Sequence, residues 1–125
     1  MNLLKQLASH LEYVGLGLRG EDIFWGRMPD EPAECICLFC EDAGGADRPA
    51  RIQVVCRSPI PREAYETACD IAFELDDYTG FLGGDGAMAG ITVITAGAGM
   101  GEDAHKREMY STVLAVRVCC CKGVS

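Results

Sequence analysis

The stretch RIQVVCRSPIPREAYETACDIAFEL, Arg51–Leu75, contains a change of period that decides the fold. In its first seven residues Ile52, Val54 and Cys56 alternate with Arg51, Gln53, Val55 and Arg57, the mark of a strand with one buried face. Pro61 suits the first position of a helix, where its missing N–H costs nothing, and Glu63 and Glu66 favour the positive end of the helix dipole. Ala64, Ala68, Ile71, Ala72 and Leu75 then recur at helical spacing, flanked by Tyr65 and Phe73, and Asp76 and Asp77 end the segment. A half-buried strand running into an amphipathic helix predicts a sheet with helices layered on one face.

Upstream, Leu3, Leu4, Leu7, Leu11 and Val14 give a helix over 2–14, with Asn2 as N-cap and Gly15 or Gly17 in the left-handed cap position. Ile23–Trp25 reads as a short strand before the turn forced by Pro29 and Pro32, and Glu34–Phe39 as a second one. Downstream, Tyr78–Gly90 is glycine-rich and reads as mobile. Ile91–Ala96 and Met109–Cys120 read as strands joined by a flexible AGAGMGEDAHKR, with Tyr110, Thr112, Leu114, Val116 and Val118 on the core face. The order α-β-β-β-α-β-β predicts an α+β two-layer sandwich, a mostly antiparallel sheet of about five strands with two helices on one face, over a single domain, 1–125. The other face would carry Arg51, Gln53, Arg57, Ser111 and Arg117. It is too polar for a core and should meet solvent, a neighbouring subunit or a lumen.

Composition removes several functions. Hydrophobic residues make up 49% and charged ones 24% of the 125 residues, the balance of a globular chain, and no apolar run approaches the length of a membrane span. The formal charge of −8 argues against gripping phosphate backbones and against sequence-specific nucleic-acid binding. It suits solubility, or a passage along which nucleic acid slides without sticking. The N-terminus lacks the uninterrupted apolar region of a secretory signal, so the eight cysteines are expected to be reduced and mostly buried.

Catalytic and cofactor signatures are thin. Cys37 and Cys40 form a CxxC, but on a strand residues three apart face opposite sides, whereas a zinc site or a redox thiol needs convergent, activated thiolates. A thiol-rich metal-binding or redox module remains the alternative reading. Gly97-Ala-Gly-Met-Gly101 follows a strand but no helix opens after it, so the dinucleotide fingerprint is incomplete. His10 next to Ser9, and His105 with Asp103, Lys106 and Arg107 in a polar loop, form no dyad. No catalytic residue, metal ligand or cofactor site is assigned, and the chain is not expected to be an enzyme.

Three stretches taken together carry a resemblance. Gly15-Leu-Gly17 with EDIFWGRMPDEP (Glu21–Pro32), RPARIQVVCRSPIPREAYETACDIAFEL (Arg48–Leu75) and GEDAHKREMYSTVLAVRV (Gly101–Val118) are similar to small phage minor capsid proteins of the tail-terminator, or head–tail joining, type. The resemblance implies a structural virion protein, assembled in the host cytoplasm. It implies a homo-oligomeric ring, often hexameric, at the head-proximal end of the tail tube. Such a ring stops tube growth, meets tail-tube and head-connector proteins, and lets DNA pass through. Closing it requires a head-to-tail contact that completes by rotation. Candidate interface residues on this reading are Trp25, Arg27, Asp30, Arg57 and Arg107, with the loops Tyr78–Gly90 and Gly97–Arg107 reaching toward neighbours.

Overall fold

A computed structural model describes residues 3–45 and 48–118. Along the chain come helix α1 (Leu3–Tyr13), strands β1 (Ile23–Trp25), β2 (Cys35–Asp42) and β3 (Ala50–Ser58), helix α2 (Pro61–Leu75), β4 (Thr79–Phe81), a 3₁₀ turn (Leu82–Gly84), β5 (Met88–Glu102) and β6 (Glu108–Val118). The strands form one six-stranded sheet in the order β1-β2-β3-β6-β5-β4. The α+β class and its helical layer match the sequence reading. Two details differ: β4 is an additional strand, and β1 pairs parallel to β2 while every other pair is antiparallel.

The period change at the centre of the chain operates as physics requires. Ile52, Val54 and Cys56 of β3 lie opposite Cys40, Leu38 and Ile36 on one side and Leu114, Thr112 and Tyr110 on the other. Against this face pack Ala68, Ile71 and Leu75 of α2 and Leu7, Ala8 and Leu11 of α1, all part of one buried hydrophobic cluster. Each fully buried Leu or Ile there contributes roughly 1.5–3 kcal/mol of transfer free energy. One polar bond ties the layers together: the buried Thr112 hydroxyl donates to the Ala68 carbonyl at 2.7 Å.

The helix ends follow their sequence signals. Gly15 takes φ +87° after α1, its N–H bonds the Glu12 carbonyl, and the next N–H, of Leu16, reaches back to Leu11. This pair of bonds is the glycine-capped ending that satisfies the last carbonyls of a helix. Pro61 opens α2, and Asp76 ends it while its carboxylate accepts the Val93 N–H at 3.1 Å, fixing the helix terminus to β5. The expected N-cap at Asn2 lies outside the described residues.

Two stretches expected to be mobile form regular structure. Tyr78–Gly90 contributes β4, the 3₁₀ turn with its buried Leu82, and the start of β5. Gly97–Gly101 lies inside β5, which pairs with β6 as far as Glu102 through three register shifts. Glycine and alanine have poor strand propensity, yet cross-strand pairing and the packing of Gly97 under Tyr65 and Cys69 override it here. The connecting loop shrinks to 103–107.

Candidate assembly surface

β1 leaves the sheet at Trp25, and the chain must cross the face opposite the helices to reach Cys35. Pro29 and Pro32 prevent this crossing from continuing as a strand, so the carbonyls of 30–33 need donors from elsewhere. Two arginines supply them. Arg57, at the end of β3, donates from Nε to Ala33 O at 3.1 Å and from Nη2 to Pro32 O at 2.8 Å and Asp30 O at 3.3 Å. Arg107, at the start of β6, donates from Nη1 to Asp30 O at 2.7 Å. Both are buried: Arg57 is 3% exposed and Arg107 7%. The planar guanidinium, with five donors in a fixed fork, can bridge several main-chain oxygens at once.

Asp103 joins the two cations. Its Oδ2 accepts Arg107 Nε at 2.9 Å and stands 3.6 Å from Arg57 Nη1, while Oδ1 accepts the backbone N–H groups of His105 and Arg107, both at 2.9 Å. Desolvation works against its ionisation, but these backbone and guanidinium bonds prevail and hold the carboxyl down at about 2. The same residue therefore closes the β5–β6 turn and neutralises part of the buried charge. Glu31, exposed, adds a looser pairing to Arg107 at 3.6 Å. Among the described residues Arg107 Nη2 is buried without an acceptor.

At this end the sheet's second face is therefore covered. Cys35, Cys37, Val55, Arg57 and Ser111 are buried beneath the crossing chain, against the expectation of an open polar face. Further along, Arg51 and Arg117 are exposed and Gln53 half-buried, as that expectation had it.

Of the five candidate interface residues, the structure brings three into one network and separates two. Arg57, Arg107 and the main chain of Asp30 meet; the Asp30 side chain and Arg27 are exposed; Trp25 is half-buried against the hydrophobic cluster. The rim around them is acidic. Burial pushes Glu34 up and its neighbour Glu63 adds to the effect; Glu108 is likewise pushed up, by desolvation and then by Glu102 directly across the ladder.

Sequence reasoning missed Asp103 as the organiser, although an Asp followed by backbone donors two and four residues on is a turn signature. It also placed Phe73 beside the core stripe of α2, where the structure leaves it outside. That ring is 84% exposed on α2, beside Val93 and Ala96 of β5, with Tyr65 and Ile94 exposed on the same two elements.

The two thiols of the CxxC do not converge. Cys37 is buried and Cys40 exposed, on opposite faces of β2. Burial pushes the Cys37 thiol up to about 12 and raises Cys56 and Cys35 as well, the reverse of nucleophile activation. Among the described residues no group of three His, Cys, Asp or Glu could hold a metal ion. Cys119–Cys121 lies outside them. No helix of the described residues is long and apolar enough to cross a membrane.

No curated protein and no solved structure matches the chain. The family described as bacteriophage tail terminator protein matches it over residues 10–118.

Proposed function

The chain belongs to the bacteriophage tail terminator family, and we propose that it works as a non-catalytic ring subunit that caps the head-proximal end of the tail tube and presents a docking surface to the head connector. The family is one of phage structural proteins of the virion; the ring, the docking and the assignment of surfaces are the proposal. The observation that carries it is the crossing chain at 26–33, anchored from below by Arg57 and Arg107 while Arg27 and Asp30 stay exposed. Desolvating two cations under a loop costs several kcal/mol each before pairing, and their bonds to the loop carbonyls and Asp103 offset that cost. Here the result is a fixed ridge, pre-organised for contact with a neighbour.

On this reading Trp25, Arg27 and Asp30 lie near the contact between subunits, and Arg57 and Arg107 act through the loop they hold. The net charge of −8 and the acidic rim suit a ring through which DNA passes without adhering. Such a ring needs a heterologous contact that closes.

Native mass spectrometry and negative-stain microscopy, alone and with purified tail tubes, test the proposal. Rings, in solution or on tube ends, together with tubes of defined length are expected. A monomer that neither binds tube ends nor limits tube length would overturn it. Replacing Arg27 and Asp30 together by Ala is expected to reduce assembly without changing the melting temperature.

A further inference from the structure

One buried titratable group lies far from that loop. His10 in α1 is 1% exposed, and its Nδ1 accepts the Gly83 N–H at 2.9 Å. One helical turn earlier, Gln6 Oε1 accepts the Ala87 N–H at 2.7 Å. Between these bonds Leu82 is buried, and the turn closes on itself through Leu82 N–H to Ala87 O at 2.9 Å and Gly86 N–H to Leu82 O at 2.8 Å. Gly83 has φ +65° and a Cβ there would touch Ser9, so the turn lies directly on the helix. Two side chains of α1 thus fasten the connection between β4 and β5.

The donor and acceptor pattern fixes the state of the ring. Because Nδ1 accepts, the single imidazole proton is on Nε2, which is buried with no acceptor among the described residues. A second proton must go to Nδ1, the atom toward which the Gly83 N–H already points. The imidazolium would then set two donors head to head. We propose that His10 is a pH-operated latch, fastening the β4–β5 turn to α1 when neutral and releasing it when protonated.

The surroundings set where the latch opens. Tyr78, just before β4, packs tilted against the ring at 4.5 Å between centroids, and Tyr13 of α1 lies at 6.0 Å. Glu74 of α2 favours the charged ring, but burial outweighs it and holds His10 below its ordinary value. Release would free β4, whose three residues cover Met88–Gly90 at the edge of β5. None of this depends on the assembly proposed above.

Amide exchange on the full chain, corrected for intrinsic rates and followed from pH 7.5 to pH 5, reads the latch directly. Protection of Gly83 and Ala87 is expected to fall by about tenfold or more, while Val54 and Leu114 hold. His10→Asn places Oδ1 where Nδ1 accepts but does not titrate, and should keep Gly83 protected throughout. Glu74→Gln should move the opening to lower pH. Constant protection at Gly83, the same loss in His10→Asn, or a parallel loss at Val54 and Leu114 would each overturn the latch. Should His10→Asn not fold, the nitrogen shifts of wild-type His10 decide: a protonated Nδ1 at pH 7.5 refutes it.

Discussion

Replacing Arg57 by Met tests the anchoring of the crossing chain most sharply. Met keeps much of the apolar length, so the loss falls on the polar head: three hydrogen bonds to Asp30, Pro32 and Ala33 and an ion pair to Asp103. Hydrogen bonds involving a charged group are worth about 1.5–3 kcal/mol each. The three share one guanidinium and do not add in full, so the net loss is expected at about 2–4 kcal/mol. With a urea m-value of about 1.5–2 kcal/mol/M the midpoint should fall by roughly 1–3 M. Amide exchange should show loop 26–34 losing protection more than β3 or α2. Arg57→Lys is the discriminating companion: it keeps the charge, but a point ammonium cannot span three oxygens, so it should recover less than half of the loss. A lysine variant indistinguishable from wild type would refute the reasoning, because charge alone would then account for the arginine.

Other expectations follow from single residues. Gly44→Ala should cost about 1–3 kcal/mol, since Gly44 has φ +76° and an added Cβ would stand 2.6 Å from the Ala50 nitrogen; a midpoint unchanged in urea counts against this. Iodoacetamide near pH 7.5, read by peptide mass spectrometry, should label Cys40 in the native protein and spare Cys37 and Cys56, whose burial keeps them as thiols; equal labelling of Cys37 and Cys40 contradicts the packing. The carboxyl of Asp103 is depressed to about 2 in the fold, so its contribution to stability is present above the unfolded value near 3.9 and disappears as pH falls toward 2. Asp103→Asn should flatten that part of the stability profile, and an unchanged acid limb would show that Asp103 does not carry it.

The parts of the fold decided by local periodicity were legible in the sequence. The α2 stripe Ala64, Ala68, Ile71, Ala72 and Leu75 is buried residue for residue, and the β3 alternation assigns Ile52, Val54 and Cys56 to the core face. Where glycine replaced pattern, reading failed. MAGITVITAGAGMGE looks like half a strand and a loop, but β6 lies beside its whole length and supplies the partners that its own side chains do not specify. The contacts of the candidate residues were not legible. Arg57 and Arg107 bond to main-chain oxygens as many as 77 residues away in sequence, and carbonyls carry no residue type to recognise. A solvated arginine and a buried one holding a backbone look alike in one dimension.

The grip of Arg57 and Arg107 on carbonyl oxygens separates two kinds of information in this region. Any amino acid offers the same carbonyl, so the letters at 30 and 33 can drift while the crossing chain keeps its path. Related chains should therefore vary along this crossing and keep the two guanidinium groups beneath, a division between a lasting frame and replaceable lettering.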